Sequence, residues 1–255
     1  MIPLTRDRQR VPASLRGASR KKKNEELMAA AATGRISFQA SYWKPAKRQL
    51  RAEAAGKCAY CEAATSVVAH GDVEHFRPKS VYWWLAYCYD NYLFACQICN
   101  QVYKGNEFPV RAARLPAARH AAGCGPDPSD ERAVAAFLRQ TQAEQADLPD
   151  PYVDDVESLF AWEADEALKE VRLVPRGART ARRAGAAEQL YGLNREELRR
   201  ARFRIFTTLD VLRRSLAVMQ GHPLEPAIRG ELDRMSSPAA QFSGMVRYFR
   251  HRWGV

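Results

Sequence analysis

The sequence predicts an α+β chain, mostly helical, built around a small cysteine-braced centre with helical extensions on both sides. Three observations carry that expectation. Two C-x2-C pairs, Cys58–Cys61 and Cys96–Cys99, enclose the middle of the chain. Two short apolar runs near residues 159–175 have the length and composition of a strand pair. From Thr180 onward, apolar residues recur at helical spacing.

The bulk properties fit a globular protein. At 255 residues and 46% apolar content, the chain is long enough to bury one sizeable core. No apolar run reaches bilayer length, and the opening stretch MIPLTRDRQRVPASLRG lacks the apolar segment of a secretory signal. The expectation is therefore a soluble, cytoplasmic protein without membrane contact. Net charge is +11, unevenly spread. Residues 1–57 carry +10 (14 basic, 4 acidic) and residues 58–125 carry +1 (6 basic, 5 acidic). Residues 126–170 carry −10 (3 basic, 13 acidic) and residues 171–255 carry +10 (17 basic, 7 acidic). Two basic regions flank a near-neutral centre, a distribution suited to a polyphosphate partner. Three regions follow: a basic helical 1–57, a central 58–125, and 126–255, acidic first and then basic and helical.

Each element has a local reason. Pro3, Pro12 and Gly17 keep residues 1–19 irregular. A helix is expected from Arg20 to Ala32, stopped by Thr33-Gly34, and a second from Pro45 to Ala55, with Pro45 in its first turn and Gly56 after its end. Pro116, Gly123, Gly125, Pro126 and Pro128 mark a loop-rich exit from the centre. LPDPYVDDVESLFAW then reads as a turn and a strand, with VRLVP (Val171 to Pro175) as its hairpin partner. In the C-terminal region Gly192-Leu193-Asn194 divides two helices, with Asn194 as N-cap and Glu197 at the capping-box position. Two shorter helices are expected at 225–235 and 237–250.

Each C-x2-C pair can aim two thiolates at one tetrahedral ion, so Cys58, Cys61, Cys96 and Cys99 read as a structural zinc site. Disulfides are the rival use, disfavoured in an intracellular chain. Thirty-four residues separate Cys61 from Cys96, so a functional insertion sits between the two knuckles. Cys88, in an aromatic run, reads as a small buried hydrophobe, and Cys124 has no evident partner.

The insertion contains GDVEHFRPKS, with Glu74 beside His75. Phosphodiester hydrolysis needs an activated water, a base and a cation for the leaving oxygen. Histidine is the natural base near neutral pH, and carboxylate and amide oxygens suit a hard divalent ion such as Mg2+. Asn91 and Asn100 follow in DNYLFACQICNQVYKGN. The order C-x2-C, E-H-F-R-P-K-S, D-N-Y-L, C-x2-C-N and K-G-N resembles the HNH (ββα-metal) endonuclease family. That resemblance implies a zinc-braced ββα-metal core embedded in a helical α+β domain. It implies His75 as general base, Glu74 as a ligand of a catalytic Mg2+ or Mn2+, Asn91 as the residue orienting His75, and Asn100 as a second ion ligand. The match departs from the commoner pattern at Glu74, where Asp or His is usual, and at Asn100, where His is usual. Roughly residues 40–205, and most of all the block from His70 through Pro109, are similar to the HNH component of Septu-type antiphage systems, which is encoded beside an AAA/ABC-type ATPase. A similar subfamily accompanies some retrons. The resemblance therefore implies DNA as substrate and an ATPase as partner.

Other residues carry two readings each. Arg77, Lys79 and Lys104 are either phosphate contacts or solvated charges. His70 is a supporting ligand or a polar loop residue. Tyr82, Trp83, Trp84, Tyr87 and Tyr89 stack on bases or, more in keeping with a small domain, fill its core. The Arg20–Lys23 run grips a backbone or opens an exposed helix. The rival function from another class is a zinc-stabilised nucleic-acid-binding or adaptor protein with an inactive nuclease centre.

Overall fold

The computed structural model describes residues 1–65 and 71–255; His70 lies outside the described residues. About half of the described residues are helical, and the rest of them hold two small antiparallel sheets and long connections. The α+β expectation holds, with a helical share nearer half than most. None of the described helices is long and apolar enough to cross a membrane.

Helix α1 (Gly17–Ala32) begins three residues before the basic run that was expected to open it. Much of that run serves packing. Arg20 donates to the Gly125 carbonyl at 2.9 Å, and Lys23 donates to the Ser14 carbonyl at 2.7 Å. A 3-10 turn at Lys44–Ala46 leads into α2 (Lys47–Glu53), which ends at the start of the first cysteine knuckle. Ala46, Leu50 and Ala54 recur every four residues and face Tyr89, Tyr92 and Phe94, so α2 lies against the central hairpin.

That hairpin pairs β1 (Asp72–His75) with β2 (Tyr92–Ala95), with Glu74 opposite Leu93 and His75 opposite Tyr92. Every residue of β2 is buried, as its aromatic and aliphatic composition demands. A seven-residue π-helix, Ile98–Lys104, follows directly. Helix α3 (Glu131–Gln142) is capped by Asp130, whose carboxylate accepts from the Ala133 amide at 3.0 Å.

The expected second hairpin is present as β3 (Phe160–Asp165) and β4 (Glu170–Pro175). Helices α4 (Ala181–Tyr191) and α5 (Glu196–Val218) are separated at Gly192 in the left-handed conformation. Asn194 does not cap α5. Its amide brackets Leu173 in β4, donating to the carbonyl and accepting from the N–H, both at 2.8 Å, and Arg195 occupies the cap position instead. A cross-chain backbone partner outcompetes the local cap here. Helices α6 (Glu225–Ser236) and α7 (Ser243–Trp253) close the chain near the expected positions.

The largest buried cluster draws on all three charge regions, from Met1 through Tyr60, Leu93 and Trp162 to Phe249. Tyr82, Trp84, Tyr87 and Tyr89 are buried within the core and Trp83 is half-buried against it, the packing role rather than base stacking. Cys88 and Cys124 are both buried.

Candidate metal and active site

The first knuckle is a tight turn in which the Glu62 amide donates to the Cys58 carbonyl at 3.0 Å. It is stitched to the hairpin by the Ala59 amide on the Phe94 carbonyl at 2.9 Å. The second knuckle lies at the junction of β2 and the π-helix, where the Cys99 amide points at the Cys96 sulfur at 3.5 Å. The two turns bring the sulfurs of Cys58, Cys61, Cys96 and Cys99 within 4.8 Å of one another. Four thiolates at ~2.3 Å from one tetrahedral zinc would stand about 3.8 Å apart, so the cluster could hold zinc with small adjustment.

The charge around the cluster fits the same ion. Zinc with four thiolates carries a net −2. Arg195 donates to the sulfurs of Cys99 at 3.4 Å and Cys61 at 3.8 Å. Arg202, 1% exposed, stacks over Trp162 at 4.8 Å and donates to the Leu193 carbonyl at 2.6 Å. Among the described residues no carboxylate is within ion-pair distance of Arg202, and its Nε has no partner. A cation buried in that way needs a counter-charge, and a tetrathiolate dianion supplies it.

Glu74 and His75 sit side by side in sequence on β1, so the strand sends them to opposite faces. Glu74 points toward the knuckle and the helices beyond it. Its carboxylate meets the buried Lys104 ammonium at 2.6 Å and accepts from the Tyr60 hydroxyl at 3.3 Å. Tyr60 in turn stacks on Tyr191 of α4 with ring centroids 3.8 Å apart. Burial raises the Glu74 pKa, and Lys104 opposes that shift. Asn100 lies at the start of the π-helix, and its amide donates to Asp72 at 3.3 Å. A divalent ion at Glu74 would have to displace the buried Lys104 ammonium. Among the described residues the four cysteines form the metal-type cluster, and the hairpin acids do not form another.

His75 points to the other face, into an aromatic sleeve. The rings of Trp43 and Tyr92 stand edge-on to it, each 5.0 Å away between centroids. Its Nε2 is 3.0 Å from the Ala86 carbonyl oxygen. A carbonyl only accepts, so Nε2 carries the proton and Nδ1 keeps its lone pair. Burial, aided by Lys79 and Lys104, lowers the His75 pKa to about 3, so the ring is neutral at physiological pH. The orienting partner of His75 is thus a backbone carbonyl. Asn91 does not touch the ring. It accepts from the Arg77 amide at 2.8 Å and donates to the Arg77 carbonyl at 2.9 Å and the Leu85 carbonyl at 3.5 Å. It closes the neck of the Phe76–Asn91 loop, in which Ala86, the partner of His75, follows Leu85 directly.

Two expected phosphate contacts are spent elsewhere. Arg77 is buried and pairs with Glu144 at 2.6 Å, and Lys104 is fully buried against Glu74. Their charges do not reach solvent, which corrects the surface role expected for both. Lys79 remains accessible, its ammonium 5.5 Å above the Trp43 ring. Sequence reasoning missed Trp43, Ala86, Arg195 and Arg202. A carbonyl leaves no trace in residue identity, and Trp43, Arg195 and Arg202 are distant in sequence from what they touch.

Comparison with known proteins gives one curated relative. An alignment of 89 positions that covers 30% of the chain is 35% identical to the Septu protein PtuB of Bacillus mycoides (strain KBAB4). The match spans about 30% of the length of that relative. No protein-family model matches the chain, and no solved structure matches it.

Proposed function

We propose that this chain is an HNH-type endonuclease hydrolysing DNA phosphodiesters, and the nuclease component of a Septu-type antiphage system with an AAA/ABC-type ATPase partner in the cytoplasm. The observation that carries the reading is the His75 ring, fixed by the Ala86 carbonyl so that Nδ1 keeps a lone pair for a proton from water, with a basicity that burial lowers in this arrangement and that opening of the sleeve would restore. Support comes from the order of parts around it. Glu74-His75 lie on β1, Asn91 immediately precedes β2, and Asn100 follows the second knuckle on the π-helix. The likeness to PtuB supports the system.

In this reading the present arrangement is a closed form. His75 is only 6% exposed, so Trp43 has to leave its edge before a water and a phosphate can reach Nδ1. The test is supercoiled plasmid cleavage with Mg2+ or Mn2+ added, with and without the partner ATPase. Wild type is expected to cut, and His75→Ala to be slower by about 10²–10⁴-fold, the usual worth of a general base. Equal cutting by the two proteins sinks the assignment.

A second reading is favoured by one observation, the commitment of the Glu74 carboxylate to buried Lys104. It is a zinc-stabilised adaptor or nucleic-acid-binding protein whose nuclease centre is inactive. Absence of cutting by wild type even with the ATPase present selects it.

A further inference from the structure

The central hairpin has a cationic flank that the proposed chemistry does not use. Helix α2 turns Ala46, Gln49, Leu50 and Ala54 inward. Its acid, Glu53, also turns inward, bonding Arg6, the Asp7 amide, Tyr89 and Tyr152. What remains outside is basic: Lys44, Arg48 and Arg51 are exposed and Lys47 is half-buried. Arg48 and Arg51, at i and i+3, share one face of α2, and Lys44 precedes them in the 3-10 turn. Among the described residues, none of the four lies within ion-pair distance of a carboxylate. Most other basic residues near the hairpin are neutralised, as Arg6, Arg8, Arg77 and Lys104 are.

The flank is joined to the site by sequence and by contact. Lys44 follows Trp43, whose ring is edge-on to His75 and lies under the Lys79 ammonium. A belt of five cations thus runs from Lys79 past Trp43 and along α2. From Lys44 to Arg51 it extends roughly 10 Å at helical rise, about three nucleotide steps along one strand. We infer that this belt, Lys79 with Lys44, Lys47, Arg48 and Arg51, is a docking surface for the sugar–phosphate backbone of a nucleic acid, leading a strand toward His75. Unpaired cations in a row suit phosphates, which are read by charge. The inference rests on the nucleic-acid substrate of the proposed function but not on its chemistry.

The test is DNA binding by the zinc-loaded full chain without Mg2+ or Mn2+, followed by fluorescence anisotropy on a short duplex over a range of salt. Cutting plays no part in this readout, so failure of the nuclease reading and failure of the belt are separable. The triple variant Lys44→Ala/Arg48→Ala/Arg51→Ala removes exposed side chains only, and its melting temperature and zinc content check folding. Three lost phosphate contacts should flatten the slope of log K against log salt by about 2.7 and weaken binding on the order of a hundredfold near physiological salt. The control Arg200→Ala/Arg204→Ala/Arg214→Ala makes the same change in net charge on exposed positions of α5 and should leave the slope unchanged. Equal losses in the two triples, an unchanged belt variant, or no DNA binding by wild type each overturn the proposal. So does a belt variant that keeps DNA binding and loses capture of an acidic protein partner, since the surface is then a protein interface.

Discussion

The Lys104 ammonium lies 2.6 Å from the Glu74 carboxylate, and both groups are buried. The pair ties the end of the π-helix to the middle of β1, and Lys104 also donates to the His75 carbonyl at 3.2 Å. One lysine therefore holds the strand on which the proposed base sits.

Breaking that pair from one side leaves an uncompensated buried charge. Lys104→Met should destabilise the fold by about 3–5 kcal/mol, and Glu74→Gln in the same chain should return a good part of the loss. Urea denaturation of the two single variants and the double variant measures it. A loss below about 1 kcal/mol for Lys104→Met, on the scale of exposed pairs, contradicts the buried pairing.

Asn91→Ala removes the bracket on Arg77 and leaves a buried amide and carbonyl without partners. The expected cost is about 2–4 kcal/mol, counting up to two unsatisfied groups. Asn91→Asp keeps the acceptor for the Arg77 amide but cannot donate to the Arg77 carbonyl, so it should not restore stability. Recovery of wild-type stability by aspartate would mean that the donor half of the bracket contributes nothing.

Arg202→Met should weaken the hold on zinc. The substitution removes a cation beside the tetrathiolate, so zinc should be lost faster to a chelator and the zinc-loaded protein should melt lower. Thermal melts of the zinc-loaded protein, with zinc release followed by a colorimetric chelator, check it. Zinc release at the wild-type rate would separate Arg202 from the metal.

Asp150 gives a pH signature. It is buried, and burial raises its pKa to about 6 although Arg6 and Arg77 oppose the shift. Between the unfolded value of about 3.9 and that value, the folded state binds more protons than the unfolded one, so stability falls as pH rises through the window. Asp150→Asn keeps an oxygen for the Tyr152 amide, which Asp150 accepts at 2.9 Å. The variant should be more stable than wild type above pH 6 by about 3 kcal/mol, with the difference shrinking to about 0.5 kcal/mol near pH 4. Denaturation at both pH values decides it, and an equal difference at the two rules out titration of Asp150 as the cause.

Much was legible in the sequence because it depends on neighbours along the chain. The two knuckles, the β3–β4 hairpin and the α4–α5 break each follow from spacing and residue type within a dozen positions or so. Four cysteines in two short turns carry their meaning in their spacing. The role of Asn194 did not, because its amide is claimed by Leu173, which lies 21 residues away and on another element.

The sequence by itself determined which groups are present near the centre: four thiols, a histidine beside an acid, two asparagines and a surplus of cations. Only the tertiary structure decided which of those groups are free. Strand geometry parts Glu74 from His75, burial pairs Arg77 with Glu144 and Lys104 with Glu74, and a carbonyl from Ala86 sets the imidazole tautomer. The basic residues left exposed beside the hairpin are those of α2, because its apolar face and Glu53 are turned inward. The physical reason is common to all of these. A charge is spent or available according to which partner reaches it across the fold, and sequence separation carries no measure of that distance.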